Sequence, residues 1–126
     1  MELSSQNPTT RHSFFNIIPP AVKKRAELMP FLTFPLLKAC NFKCEYCGEG
    51  GELSASMKSQ WDADVVVDRI YAAHRLGVRK FRITGGEPFL FKGISTVLET
   101  LNDIGCYTHV NSNGSCLKRH ESLLRN

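Results

Sequence analysis

Three short apolar runs, rich in aromatic and β-branched residues, alternate with stretches of helical periodicity, and each run ends in a loop of cysteine, glycine or small polar residues. The order strand, helix, strand, helix, strand, helix predicts an α/β fold with parallel strands joined by right-handed crossovers, as a barrel or an open sheet. At 126 residues the chain is one domain at most, and 42% hydrophobic residues suffice for a modest core.

Residues 1–13 are polar and without periodicity, which predicts a loosely draped tail. A short helix near Val22–Leu28, closed by Pro30, completes an N-terminal segment over 1–30, and the core occupies 31–126. Phe31–Leu37 is the first predicted strand; Pro35 cannot donate to a ladder, so this strand belongs at an edge or a barrel rim. Gly48, Gly50 and Gly51 mark a flexible loop beyond the first cysteines. Ser59-Gln60-Trp61-Asp62 reads as a capping box that opens a helix. In that helix Ala63, Val66, Val67, Ile70 and Ala73 share one face, and Gly77 stops it. Val78–Thr84 is the second strand, ending in Gly85-Gly86-Glu87-Pro88. Ile94, Val97, Leu98, Leu101 and Ile104 keep 3.6-residue spacing up to Gly105. Cys106–Val110 is the third strand, Asn111-Ser112-Asn113-Gly114 its exit loop, and Leu117–Arg125 begins a third helix.

The net charge of +4 is spread along the chain. Its densest run, Lys23-Lys24-Arg25, is too short for a nucleic-acid footprint and reads as a solvated face. No apolar stretch reaches the ~18 residues of a membrane span, and Pro19 and Pro20 interrupt what a signal peptide would keep continuous. The expected location is therefore the reducing cytoplasm. Five cysteines make an odd count, three of them inside Cys40–Cys47, and that crowding points to metal rather than disulfides.

Cys40-Asn41-Phe42-Lys43-Cys44-Glu45-Tyr46-Cys47 follows directly on a strand. Three thiolates on one loop can ligate three irons of a four-iron cluster and leave the fourth iron open to a small chelating molecule. Spacing alone keeps two alternatives: a structural zinc whose fourth ligand comes from far along the chain, and three unconnected thiols. After the second strand, Gly85 and Gly86 let a ligand approach the main chain, and backbone carbonyls beside the Glu87 carboxylate suit an ammonium group. Taken alone, that element is also an ordinary turn. Ser112 and Asn113 offer hydroxyl and amide groups to a sugar or carboxylate, as turn formers also do. All three loops follow the carboxyl ends of consecutive parallel strands, where α/β folds gather their sites. Cys106 and Cys116 cannot complete a second cluster and read as ordinary thiols, and His74 reads as a packed residue.

The cysteine element with Tyr46 before its last cysteine, Phe81-Arg82-Ile83-Thr84-Gly85-Gly86-Glu87-Pro88 and Ser112-Asn113-Gly114 together resemble the radical S-adenosylmethionine (radical SAM) superfamily. The run from Cys40 through Gly114 is most similar to the GTP 3′,8-cyclase family of molybdenum cofactor biosynthesis. The resemblance implies a partial (β/α)6 TIM-like barrel of radical SAM type, of which three strand–helix units are present here. At about 29 residues per unit they match the ~31 of a typical eightfold barrel, so the core is expected to be incomplete at the C-terminus. The resemblance further implies that Cys40, Cys44 and Cys47 bind a 4Fe-4S cluster, and that Tyr46 packs near the adenine of S-adenosylmethionine. Gly85, Gly86 and Glu87 would hold its methionyl amino group, with Ser112 and Asn113 near the nucleoside. An electron donor such as a flavodoxin or ferredoxin is implied as well. The substrate, and any residue that touches it, stays unassigned. A non-catalytic iron–sulfur or metal-binding module, or a short activase acting on a partner protein, is the alternative.

Overall fold

The structure, a computed structural model, describes residues 19–47 and 61–125. The expected tail, the loop of Gly48, Gly50 and Gly51, and the Ser59-Gln60 half of the capping box lie outside the described residues. Helix α1 (Pro20–Leu28) carries Pro20 at its first position, where a missing N–H costs nothing, and leads to strand β1 (Leu32–Pro35). Helix α2 (Ala63–Arg75), strand β2 (Lys80–Thr84), helix α3 (Ile94–Asp103) and strand β3 (Tyr107–Val110) follow. In place of a continuous third helix, Leu117–His120 forms a 3₁₀ turn that runs into the short helix α4 (Glu121–Leu124).

The three strands form one parallel sheet in the order β1-β2-β3. Phe34 pairs with Ile83 and Ile83 with Val110, while Thr33, Arg82 and His109 make the neighbouring row. Because side chains alternate across a strand, these rows face opposite sides. Phe81 and Ile83 are fully buried, and Val66 and Ile70 of α2 join them in one core with Val97 and Leu101 of α3. Both crossover helices therefore cover the same face. The opposite face, with Thr33, Lys80, Tyr107 and His109 exposed and Arg82 half-buried, has no layer over it among the described residues.

Both long helices end in the same way. Gly77 and Gly105 adopt φ of 106° and 70°. Gly77 N–H donates to the His74 carbonyl and Val78 N–H to Ala73; Gly105 N–H donates to Asn102 and Cys106 N–H to Leu101. These are paired 5→2 and 6→1 bonds that satisfy carbonyls left over at a helix end. They also explain why β2 and β3 start later than their apolar runs suggested. Val78 and Cys106 bond backwards to a helix rather than sideways to a strand. At its other end α2 is capped by Asp62, whose carboxylate accepts from Asp64 N–H at 3.0 Å. The capping residue of the helix is thus Asp62. Among the described residues no helix is long and apolar enough to cross a membrane.

Candidate functional site

The backbone pairing of β1 with β2 does not stop where the strands do. Leu36 N–H donates to the Thr84 carbonyl at 2.9 Å, Gly86 N–H to Leu37 at 2.9 Å and Glu87 N–H to Ala39 at 2.8 Å. The segment leading to Cys40 is thereby fastened along the glycine loop. A Cβ at Gly85 would lie 2.6 Å from the Leu37 carbonyl oxygen, and one at Gly86 would lie 2.1 Å from that of Ala39. Sequence reasoning gave these glycines to an approaching ligand. The structure adds a nearer reason, since the cysteine-bearing backbone itself crosses them.

Beside this seam opens a cleft of about 400 Å³ lined by Pro35, Leu37, Lys38, Cys40, Phe42, Cys44 and Cys47 of one segment and by Thr84, Gly85 and Gly86 of another. Cys40 and Cys44 are half-buried and Cys47 is exposed. A turn brings Cys47 N–H to the Cys44 carbonyl at 3.0 Å, and Phe42 N–H points at Cys40 Sγ at 3.4 Å. Among the described residues no three His, Cys, Asp or Glu side chains gather closely enough to hold one metal ion. A cluster asks for something different. Each thiolate would ligate its own iron, and the three cysteines line one cleft. Tyr46 is 90% exposed and does not line the cleft. A hydrogen bond with the Cys44 side chain, and then the charge there, raise its phenol above the ordinary value.

Glu87 is enclosed by donors of its own chain. Its side chain is 0% exposed. Oε1 accepts from Phe89 N–H at 3.0 Å and from Ser112 Oγ at 2.9 Å, and Oε2 accepts from Asn113 N–H at 2.8 Å. The Asn113 side-chain amide donates to Asn41 Oδ1 at 3.0 Å and reaches Cys40 Sγ at 3.7 Å. Its Oδ1 accepts from Ser115 N–H and Oγ, and Ser115 Oγ accepts from Asn41 Nδ2 at 2.8 Å. The three loops are therefore one hydrogen-bonded assembly. Asn41 and Ser115 escaped the sequence reading. Each lies in or beside a motif already singled out, but nothing local signals a pairing across 74 residues.

A second omission lies on the uncovered face of the sheet. The Arg82 guanidinium rests 4.8 Å over the Phe31 ring, and its Nε is buried without a hydrogen-bond partner. The Lys-Phe-Arg-Ile-Thr alternation of β2 was the available signal, since it sets Arg82 opposite the core. Cys116 is buried, and burial raises the half-buried Cys106 thiol. Neither lines the cleft. A hollow of similar size, about 420 Å³, lies between α3 and α4 and contains none of the candidate residues.

A profile of the radical SAM superfamily matches residues 34–126. A GTP 3′,8-cyclase of Stenotrophomonas maltophilia is 33% identical over 92 residues, covering 71% of this chain and 28% of the relative. A protein of Archaeoglobus fulgidus named as a probable GTP 3′,8-cyclase is 33% identical over 94 residues, 75% of this chain and 31% of its own length. A GTP 3′,8-cyclase of Staphylococcus epidermidis is 37% identical over 94 residues, 64% of this chain and 26% of its own. The chain thus spans less than a third of the length of these curated relatives. With the family match running from inside β1 through the cysteine loop, the glycine loop and the loop after β3, the chain belongs to the radical SAM superfamily.

Proposed function

We propose that the carboxyl end of the sheet holds a 4Fe-4S cluster through Cys40, Cys44 and Cys47, with S-adenosylmethionine bound beside it, in the opening units of a partial (β/α)6 barrel. One observation carries this reading: the three cysteines share a cleft of about 400 Å³ with Gly85 and Gly86. When bound, such a cluster supplies one electron to the sulfonium of S-adenosylmethionine, whose carbon–sulfur bond breaks to give a 5′-deoxyadenosyl radical. The protein's own part is binding and orientation. The glycine loop offers backbone carbonyls to the methionyl amino group without side chains in the way. Tyr46, exposed next to Cys47, offers its ring to the adenine. Ser112 edges the site near the nucleoside, and Glu87 accepts from both Ser112 and Asn113. Thiolate ligands suit a reducing compartment, the cytoplasm, and a small reductant of the flavodoxin or ferredoxin type.

The relatives' name points to a nucleoside triphosphate as substrate. Arg82 supports that, because its guanidinium stands on the sheet face opposite the core, where its charge suits an anionic group. The same open face favours a second reading, a short activase whose substrate is a partner protein seated there.

The test is anaerobic reconstitution followed by iron, sulfide and EPR measurement, with S-adenosylmethionine then titrated against the EPR signal. About four irons and four sulfides per chain are expected, lost on replacing any one of Cys40, Cys44 or Cys47 by Ala and retained in Cys106→Ala and Cys116→Ala. Stoichiometric zinc in place of iron would sink the proposal.

A further inference from the structure

We propose that Glu87 and Asn113 are positioning residues for Cys40, which set the potential of the cluster rather than contact S-adenosylmethionine. The inference rests on the reading that Cys40 ligates that cluster. With no accessible surface, the Glu87 carboxylate can meet a ligand only if the loop after β3 moves away. Three donors already point at it, two of them from Ser112 and Asn113 of that loop. A buried carboxylate costs heavily unless hydrogen bonds compensate it, so these three contacts hold the loop in one place. The place matters because of what the loop carries. Asn113 turns its amide outward from the anchor to Asn41 Oδ1 at 3.0 Å and to Cys40 Sγ at 3.7 Å. Ser115 fixes the amide's orientation by donating twice to Asn113 Oδ1, so the nitrogen is the end that faces the sulfur.

An N–H directed at a thiolate stabilises negative charge on the sulfur. Cluster potentials respond to hydrogen bonds at sulfur, and a donor favours the reduced, more negative state. Removing the Asn113 donor should make the cluster harder to reduce. Glu87, one step further back, should act in the same direction through the loop.

The experiment compares the reconstituted parent chain with Asn113→Asp and Glu87→Gln by EPR-monitored redox titration, without S-adenosylmethionine. Asn113→Asp keeps the acceptor for Ser115 and turns a carboxylate oxygen towards the thiolate. Its midpoint potential is expected to move to more negative values at unchanged iron content. Glu87→Gln, which loses the acceptor for Asn113 N–H, is expected to shift the same way and to broaden the EPR signal. If both variants match the parent in potential and lose only the spectral response to added S-adenosylmethionine, these residues are cofactor ligands and the inference is wrong, although the cluster assignment stands. Should Asn113→Asp retain less iron, Asn113→Ala removes the donor without adding charge and is read in the same way. Iron loss in both Asn113 variants with the parent's circular dichroism supports a positioning role, whereas loss of the fold in both makes the loop merely structural and overturns it. A parent chain that assembles no cluster overturns the proposed function first, and this inference with it.

Discussion

Gly86 carries two demands at once. It lines the cleft, and it lies where Ala39 crosses with its carbonyl 2.1 Å from any added Cβ. A bulky residue there would displace the backbone that leads directly into Cys40. Gly86→Ala is expected to lose about 1–3 kcal/mol of stability, the usual range for overpacking, and to weaken iron retention together with the response to S-adenosylmethionine. Urea unfolding and iron content measure the two effects, and a variant with parental iron content would separate the glycine from the cysteine segment. His74 gives a second expectation at this scale. Burial, then the charges of Arg79 and Arg75, lower its pKa in the folded protein. The folded state thus disfavours the charged imidazole, and the resulting stability is present above the ordinary histidine pKa and falls as pH drops below it. The urea midpoint should decline from pH 7.5 to 5.5, and His74→Gln should reduce that decline. An identical slope in the variant would assign the effect to other groups.

Helix α2 joins the first strand to the second and keeps the sheet in register, so its start is worth testing by itself. Asp62 is the cap, accepting from Asp64 N–H, and Asp64 adds a second carboxylate near the positive end of the helix. Asp62→Ala is expected to cost about 0.5–2 kcal/mol and Asp62→Asn far less, as read by the thermal midpoint. Equal losses in the two variants would remove the capping explanation. The strand starts carry a related lesson. Val78 and Cys106 belong to apolar runs that read as strand, yet each donates to a carbonyl of the preceding helix through a turn set by glycine. Composition could not separate these states, because an apolar residue just after a helix and one opening a strand are buried against the same core.

Across the whole molecule, one sheet face is covered by α2 and α3, while the other exposes Thr33, Lys80, Tyr107 and His109, and β3 offers an unpaired outer edge among the described residues. Open edges recruit other strands. The 126-residue chain alone is therefore expected to self-associate with rising concentration in sedimentation experiments. It should hold its cluster yet release less than one 5′-deoxyadenosine per chain under strong reductant. A monomer that makes the nucleoside over many turnovers would show that these three strand–helix units are catalytically sufficient.

The alternation of elements, the helical faces and the identity of the three polar loops were legible in the sequence because each depends on neighbours within a few residues. Val66 and Ile70 face the core as their spacing required, as do Val97 and Leu101. Cys40, Cys44 and Cys47 were recognisable because close spacing on one loop is itself their geometry. Other roles depended on partners remote in sequence. The close passage of Ala39 over Gly86, the burial of Glu87 beneath Ser112 and Asn113, and the pairing of Asn41 with Ser115 arise only when parallel strands bring their exit loops together. A residue's chemical type states which bonds it can make. Only the folded chain decides which partner reaches it, and at Glu87 the partners proved to be the protein's own backbone and hydroxyl.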